Sequence, residues 1–336
     1  MRLSESIRKN ILEIGSDGIY NRFKISTRRT TLFFEELGSV YIKKAESSGY
    51  ARETERMGYL WMRLFFDNMI PSVLRRIPAT TLLNNIVKKV WVNVGTMDDL
   101  LINREKQNIH ILSVNEGLTR FIGKNSLMQG FYRGVLESLL RKPVELLDSS
   151  NNGNETRYHF RIATGKPEKI YSKDKMIYNR LNTIQKTSDV NMKTLLRKRI
   201  FRLAENRIYF RGKMIINIEN TLFHLVGNSG LLEESIPKLS RDFFRDLVDK
   251  KSGTLKNLLL MKYLLQAMGW GRISVIESMD GLTLQIRNPP YGLQTEKDNW
   301  NFLGGVFLGY LNCLGKDYKI NRQITGYKQL RIEYSL

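Results

Sequence analysis

The chain has 336 residues, 42% apolar, 26% charged and 10% aromatic, enough apolar side chain to bury a core and too much for a disordered chain. Seven prolines and 25 glycines exclude collagen-like or linker-dominated architectures, and a single cysteine excludes a disulfide scaffold or a thiolate zinc cluster. Charge is the strongest compositional signal: 54 Lys and Arg against 33 Asp and Glu give +21, about half of it between residues 161 and 213.

Residues 1–14 read as an N-terminal helix and extension that carries charge throughout, without the apolar core of a signal peptide. The longest apolar run, Phe302 to Gly315, is too short to cross a bilayer, so a cytoplasmic protein without a transmembrane segment is expected. Residues 15–163 read as a first module. Gly18-Ile19-Tyr20 and Thr31-Leu32-Phe33 suggest a β-ribbon; Arg63-Leu64-Phe65-Phe66-Asp67 lies in a helical pattern, and Leu82 to Val90 is a second helical run. Strand-like segments Asp99 to Asn103 and Ile109 to Val114 follow, then a helix carrying Gly130 and Gly134, then strands at Pro143 to Leu147 and Arg157 to Ile162.

Residues 164–203 form a basic linker, in which Ser188-Asp189 is expected to cap an amphipathic helix running to about Glu205 with Met192, Leu196, Ile200 and Leu203 as its apolar stripe. From 204 to 336 the order of the first module recurs. Arg207-Ile208-Tyr209 and Thr221-Leu222-Phe223 stand for the ribbon, Arg241 to Arg245 for the paired phenylalanines, Leu255 to Met268 for the second helix, and Asp280-Gly281 turns a hairpin. Gly305 and Gly309 repeat Gly130 and Gly134 at an offset of 175, and Phe243-Phe244 repeat Phe65-Phe66 at 178. Glycines four apart on a helix leave a groove for close packing. The expected class is α+β: two repeated domains, each an antiparallel sheet with helices packed on one face.

Gly269-Trp270-Gly271-Arg272, the Asp280-Gly281 hairpin, Asn288-Pro289, Gly304 to Leu311 and Gly315 to Ile320 resemble the 4-vinyl reductase domain family. The first module is similar through Gly130 to Leu136 and Arg141 to Leu146, though more divergent. The resemblance implies the fold of the small subunits of the TRAPP vesicle-tethering complex, dimerisation through helices and an internal pocket for an apolar molecule. In prokaryotes such domains often serve as the sensing part of transcriptional regulators, and the family name does not imply a reductase. Many relatives carry a cysteine cluster suited to a metal; the matching regions here read Lys297 to Trp300 and Gln323 to Gln329, which removes that metal site.

Catalytic patterns are weak. The three histidines, His110, His159 and His224, have no ligand partner at helical or hairpin spacing, and Glu35-Glu36, Asp98-Asp99 and Glu233-Glu234 are adjacent pairs that do not face each other on a helix. Neither a phosphate-cradling glycine loop nor a GxSxG elbow occurs. The sequence is therefore read as non-enzymatic, with no cofactor and no metal.

The basic middle points to a polyanion, because each phosphate that a spaced cation neutralises releases condensed counterions. The candidate nucleic-acid-binding residues are Lys193, Arg197, Lys198, Arg199, Arg202, Arg207, Arg211 and Lys213, with Arg28 and Arg29 from the first ribbon, and Tyr171, Tyr178, Phe201 and Tyr209 are candidates to stack bases. Without a recognition helix, RNA or a ribosomal subunit is the expected partner of a scaffold or homo-oligomer. Two alternatives stand beside it. One is a carrier or sensor of an apolar molecule, its pockets lined by Trp270, Tyr291, Trp300 and Phe307 in one module and Trp61, Trp91 and Phe131 in the other. The other is a TRAPP-like peripheral membrane tether held by anionic lipid.

Overall fold

The computed structural model describes residues 3–16, 18–22, 27–69, 77–170, 190–249, 251–290, 301–326 and 329–336. In chain order, α1 (Leu3–Arg8) leads to β1 (Leu12–Glu13), β2 (Ile19–Arg22) and β3 (Thr27–Phe34), then α2 (Glu35–Ser47) and α3 (Ala51–Met69). Next come α4 (Ala79–Leu82), a π-helical turn (Leu83–Val87), α5 (Lys88–Asn93), β4 (Asp99–Glu105), β5 (Asn108–Val114), α6 (Ser126–Leu140), β6 (Val144–Asn152) and β7 (Glu155–Ile162). After α7 (Met192–Arg197) follow β8 (Phe201–Ala204), β9 (Arg207–Phe210), β10 (Lys213–Glu219), α8 (Thr221–Ser229), α9 (Ile236–Phe244) and α10 (Thr254–Ala267). The chain closes with β11 (Arg272–Ser278), β12 (Gly281–Arg287), α11 (Asn301–Leu311), β13 (Lys319–Gly326) and β14 (Gln329–Ser335).

Two compact units result. Residues 1–10, 38–179 and 204–207 form one; residues 11–37, 180–203 and 208–336 form the other. The first holds an antiparallel sheet of order β4-β5-β7-β6. Alternation buries Ile109, Ile111 and Ser113 of β5 and Thr156, Tyr158, Phe160 and Ile162 of β7, while their neighbours face outward. Asn125 starts α6 by accepting from Met128 N at 3.0 Å, and Arg141 ends it in the left-handed region at φ 58°. The second unit holds a sheet of order β11-β12-β14-β13, the same topology.

The likeness of the two sheet-and-helix modules extends to irregular details. Each third strand carries a bulge, between Leu146 and Asp148 in β6 and between Ile320 and Arg322 in β13. A positive-φ asparagine follows each second strand, Asn115 at 48° and Asn288 at 53°. A Cβ at Gly134 would lie 2.5 Å from Tyr59 O of α3, and one at Gly309 would lie 2.6 Å from Pro237 O of α9. Glu137 accepts from Val144 N at 3.2 Å where Asn312 accepts from Tyr318 N at 3.0 Å. The class is thus α+β, with repeated antiparallel sheets and helices packed against them.

Four segments are placed differently from the expectation. The first ribbon, read as the start of the first module, groups with the second unit, because β3 pairs antiparallel with β10 from Thr30↔Glu219 to Phe34↔Ile215 in a six-stranded sheet of order β1-β2-β3-β10-β9-β8. Residues 190–203, read as the end of the basic linker, group with that unit too; the rest of that linker from 171 to 189 lies outside the described residues. The helix expected to reach about Glu205 stops at Arg197: Arg199 takes φ 58° and the chain enters β8. Finally, Thr221-Leu222-Phe223 opens α8, whereas Thr31-Leu32-Phe33 lies in β3, so these two segments are not structural counterparts.

Candidate functional site

The cationic run is built by two short elements of the second unit. Asn191 caps α7 by accepting from Thr194 N at 3.0 Å, and Met192 and Leu195 turn into the core, which leaves Lys193 and Arg197 exposed. The left-handed turn at Arg199 reverses the chain into β8, the edge strand, so that Phe201 is buried while Lys198, Arg199 and Arg202 stay exposed. Lys193, Arg197, Lys198, Arg199 and Arg202 make no ion pair among the described residues. The Arg202 guanidinium lies 5.5 Å from the centroid of the half-buried Tyr209 ring. Arg211 is exposed in the β9–β10 turn, where its guanidinium donates to Leu247 O, and Lys213 pairs with Glu36 at 2.8 Å above the Phe243 ring.

Arg28 is half-buried on β3. Arg29 and Arg207 are corrected from surface cations to interior ones. Arg29 is 1% exposed and donates to Asn288 Oδ1 (2.8 Å), Asn288 O (2.7 Å), Gly269 O (3.0 Å) and Pro289 O (3.2 Å). In the other unit Arg207 is 2% exposed and reaches Asp98 at 2.8 Å and Asn115 O at 3.3 Å. A guanidinium desolvated against carbonyls and carboxylates has no face left for a phosphate.

The aromatic pocket candidates among the described residues pack against other rings or lie buried in the core. Trp61 and Trp91 lie 5.2 and 5.0 Å from Phe131, ring centroid to centroid. Trp270 stacks on Phe33 at 5.6 Å, meets Phe223 at 5.5 Å and donates its indole N–H to Leu32 O at 2.8 Å; Phe307 is buried as well. Tyr291 and Trp300, like Tyr171 and Tyr178, lie outside the described residues, as do the Ser188-Asp189 cap and the Lys297 to Trp300 segment.

Two polar groupings escaped the sequence reading. Strand pairing sets His110 directly opposite His159, rings stacked at 4.3 Å, with Asp148 opposite His159 on the next strand; all three line a cleft of about 370 Å³. Their separation along the chain hides the pair from any local motif. His224 is buried beside Asn228. Among the described residues no group of three or more His, Cys, Asp or Glu is placed to hold a metal ion. Within the first module, buried Glu116 accepts from Tyr132 and Tyr158 hydroxyls and from Ser113 Oγ at 2.9 Å; burial holds its carboxyl above the ordinary range and pushes both phenols well above theirs.

No protein-family model matches this chain, and no curated protein matches it. Among solved structures, the chain is similar to a trafficking protein particle complex subunit 3 from Naegleria fowleri covalently bound to palmitic acid, at 14% identity and a TM-score of 0.30 over 40% of this chain and 98% of that one. Among the described residues no helix is long and apolar enough to cross a membrane.

Proposed function

We propose that this chain is a non-enzymatic, cytoplasmic scaffold of two 4-vinyl-reductase-like modules with the TRAPP small-subunit type of fold, and that its basic strip docks on RNA or a ribonucleoprotein such as a ribosomal subunit. Support for the paired modules comes from their common strand order, bulge and glycine packing. The observation that carries the docking is the run Lys193, Arg197, Lys198, Arg199 and Arg202, exposed on α7 and the edge strand without acidic partners among the described residues. Cations left unneutralised by the protein are available to displace counterions from a phosphate backbone.

The test is binding of a structured RNA to the full chain, followed by fluorescence anisotropy between about 50 and 300 mM KCl. Each neutralised phosphate contributes a slope of about 0.7–0.9 in log affinity against log salt, so the variant R197A/K198A/R199A/R202A is expected to flatten the slope by about 3. An affinity indifferent to salt, or a variant with the wild-type slope, removes RNA from the account. Sedimentation with anionic vesicles and no RNA binding favours the membrane tether instead.

A further inference from the structure

The two modules differ most where their common frame carries charge. In the first, Arg63 of α3 is 3% exposed, and its guanidinium lies 3.3 Å from Glu137 of α6 and 3.3 Å from Asp67, which Arg141 approaches to 3.1 Å. In the second, Arg241 takes the place of Arg63, one residue past the position that the Phe243-Phe244 offset assigns to Met62 and Ser240. Arg245 stands where the first module has Asp67. Asn312 stands for Glu137 at the same offset of 175 as the glycine pairs, and each accepts a backbone hydrogen bond at the entry to the next strand, from Val144 N, the first residue of β6, and from Tyr318 N, the residue before β13. Asn312 thus keeps the structural hydrogen bond and drops the charge.

Both carboxylates of the first module are therefore missing from the second, and a guanidinium, Arg245, stands in place of one of them. The same place opens into a cleft of about 560 Å³, whose lining includes Arg241, Arg245, Thr254, Asn312 and Cys313 and no carboxylate. Of the nearby acids, Asp249 accepts from Ser252 Oγ at 2.6 Å, and Asp242, outside the lining, pairs with Arg245 in a solvent-exposed ion pair that an anion in the cleft can displace. Thr254 is the first residue of the 14-residue α10, whose opening turn adds backbone N–H groups and the positive end of the helix dipole. Arg241 makes no ion pair among the described residues, so no carboxylate of the lining offsets its charge in this concavity.

We propose that this cleft binds a small phosphate-bearing molecule, with Arg241 and Arg245 clasping the phosphate and Asn312 and the start of α10 completing its hydrogen bonds. Planar guanidinium forks match a tetrahedral oxyanion bidentately, and the volume leaves space for the group that carries the phosphate. The assignment is independent of RNA docking, which uses different residues.

Cys313 is the chain's single cysteine and lies in the lining, so the rate at which a thiol reagent modifies the intact protein reports occupancy. Pyrophosphate and glycerol 3-phosphate, titrated at constant ionic strength against chloride, are expected to slow modification saturably. R241Q/R245Q should raise the half-saturating concentration at least about tenfold, which corresponds to 1.4 kcal/mol. N312E, which restores the first module's carboxylate, should do the same, whereas R197Q/R199Q should protect as wild type does. Arg241 and Arg245 are exposed, so an unchanged urea midpoint establishes that these variants are folded. Absence of protection by either phosphate compound, protection by an RNA oligomer alone, or equal protection in R241Q/R245Q overturns the assignment.

Discussion

Gly309 and Pro237 are in backbone contact: a Cβ on Gly309 would lie 2.6 Å from the Pro237 carbonyl oxygen and 2.3 Å from Ser240 Cβ. The first module repeats the relationship between Gly134 and Tyr59 O at 2.5 Å, and Gly130 is tighter still, at 1.9 Å from Glu55 O. Neither neighbour is the loose end of a flexible side chain, so an added methyl must push two helices apart. Gly309→Ala and Gly130→Ala are each expected to cost about 1–3 kcal/mol through overpacking. Gly15→Ala is the control, because a Cβ there finds no atom closer than 3.9 Å. Urea unfolding of the three variants checks this; equal midpoints would mean that the glycines do not set the helix spacing.

The Glu116 network predicts a pH dependence of defined sign. Burial raises the folded-state pKa of Glu116 above the ordinary value of 4.5, so the folded protein binds its proton more tightly than the unfolded chain. Its contribution to stability is complete below pH 4.5 and declines as pH rises through the elevated folded value. Glu116→Gln cannot titrate. The unfolding free energy of wild type minus that of E116Q should therefore fall from pH 4 to pH 8, and a difference that stays flat over that range would show that folding does not shift this carboxyl.

How far the molecule could be read from its residues depended on whether the determining contacts were local. Alternation in β5 and β12, the Asp280-Gly281 turn and the two glycine pairs each announce themselves within a few positions, and they mark the two four-stranded sheets and the helices packed on them. The partner of β3 does not: Phe33 pairs with Ile216, and nothing near either residue specifies the other. The Leu- and Arg-rich stretch after Asn191 has helical propensity throughout, yet Arg199 reverses it and the sheet captures Phe201. Glu116 has no counterpart to flag it, since Pro289 follows Asn288 where Glu116 follows Asn115. Charge in the Arg241 cleft was hidden for a related reason. Asn312 looks unremarkable until it is set beside Glu137.

Arg29 and Arg202 both belong to the chain's basic complement, but they should answer to different experiments. Arg29 is enclosed and satisfies four acceptors on the Gly269 and Asn288-Pro289 segments, so truncation strands buried carbonyls and removes the cation that ties β3 to them. Arg29→Met is expected to destabilise by about 3–5 kcal/mol, the range for breaking a buried charged cluster, with no specific effect on the salt slope of RNA binding in the fraction that remains folded. Arg207→Met leaves the exposed Asp98 to solvent and strands chiefly Asn115 O, so it should cost less, about 1–3 kcal/mol, again without a specific effect on the salt slope. Arg202 is exposed beside Tyr209, and Arg202→Ala should leave the urea midpoint within about 0.5 kcal/mol while reducing the salt slope by about 0.7–0.9. Paired denaturation and anisotropy measurements on the three variants separate the two roles. If Arg29→Met were as stable as wild type and instead lost the salt dependence, the burial argument would be wrong and the cation would belong to the docking surface after all.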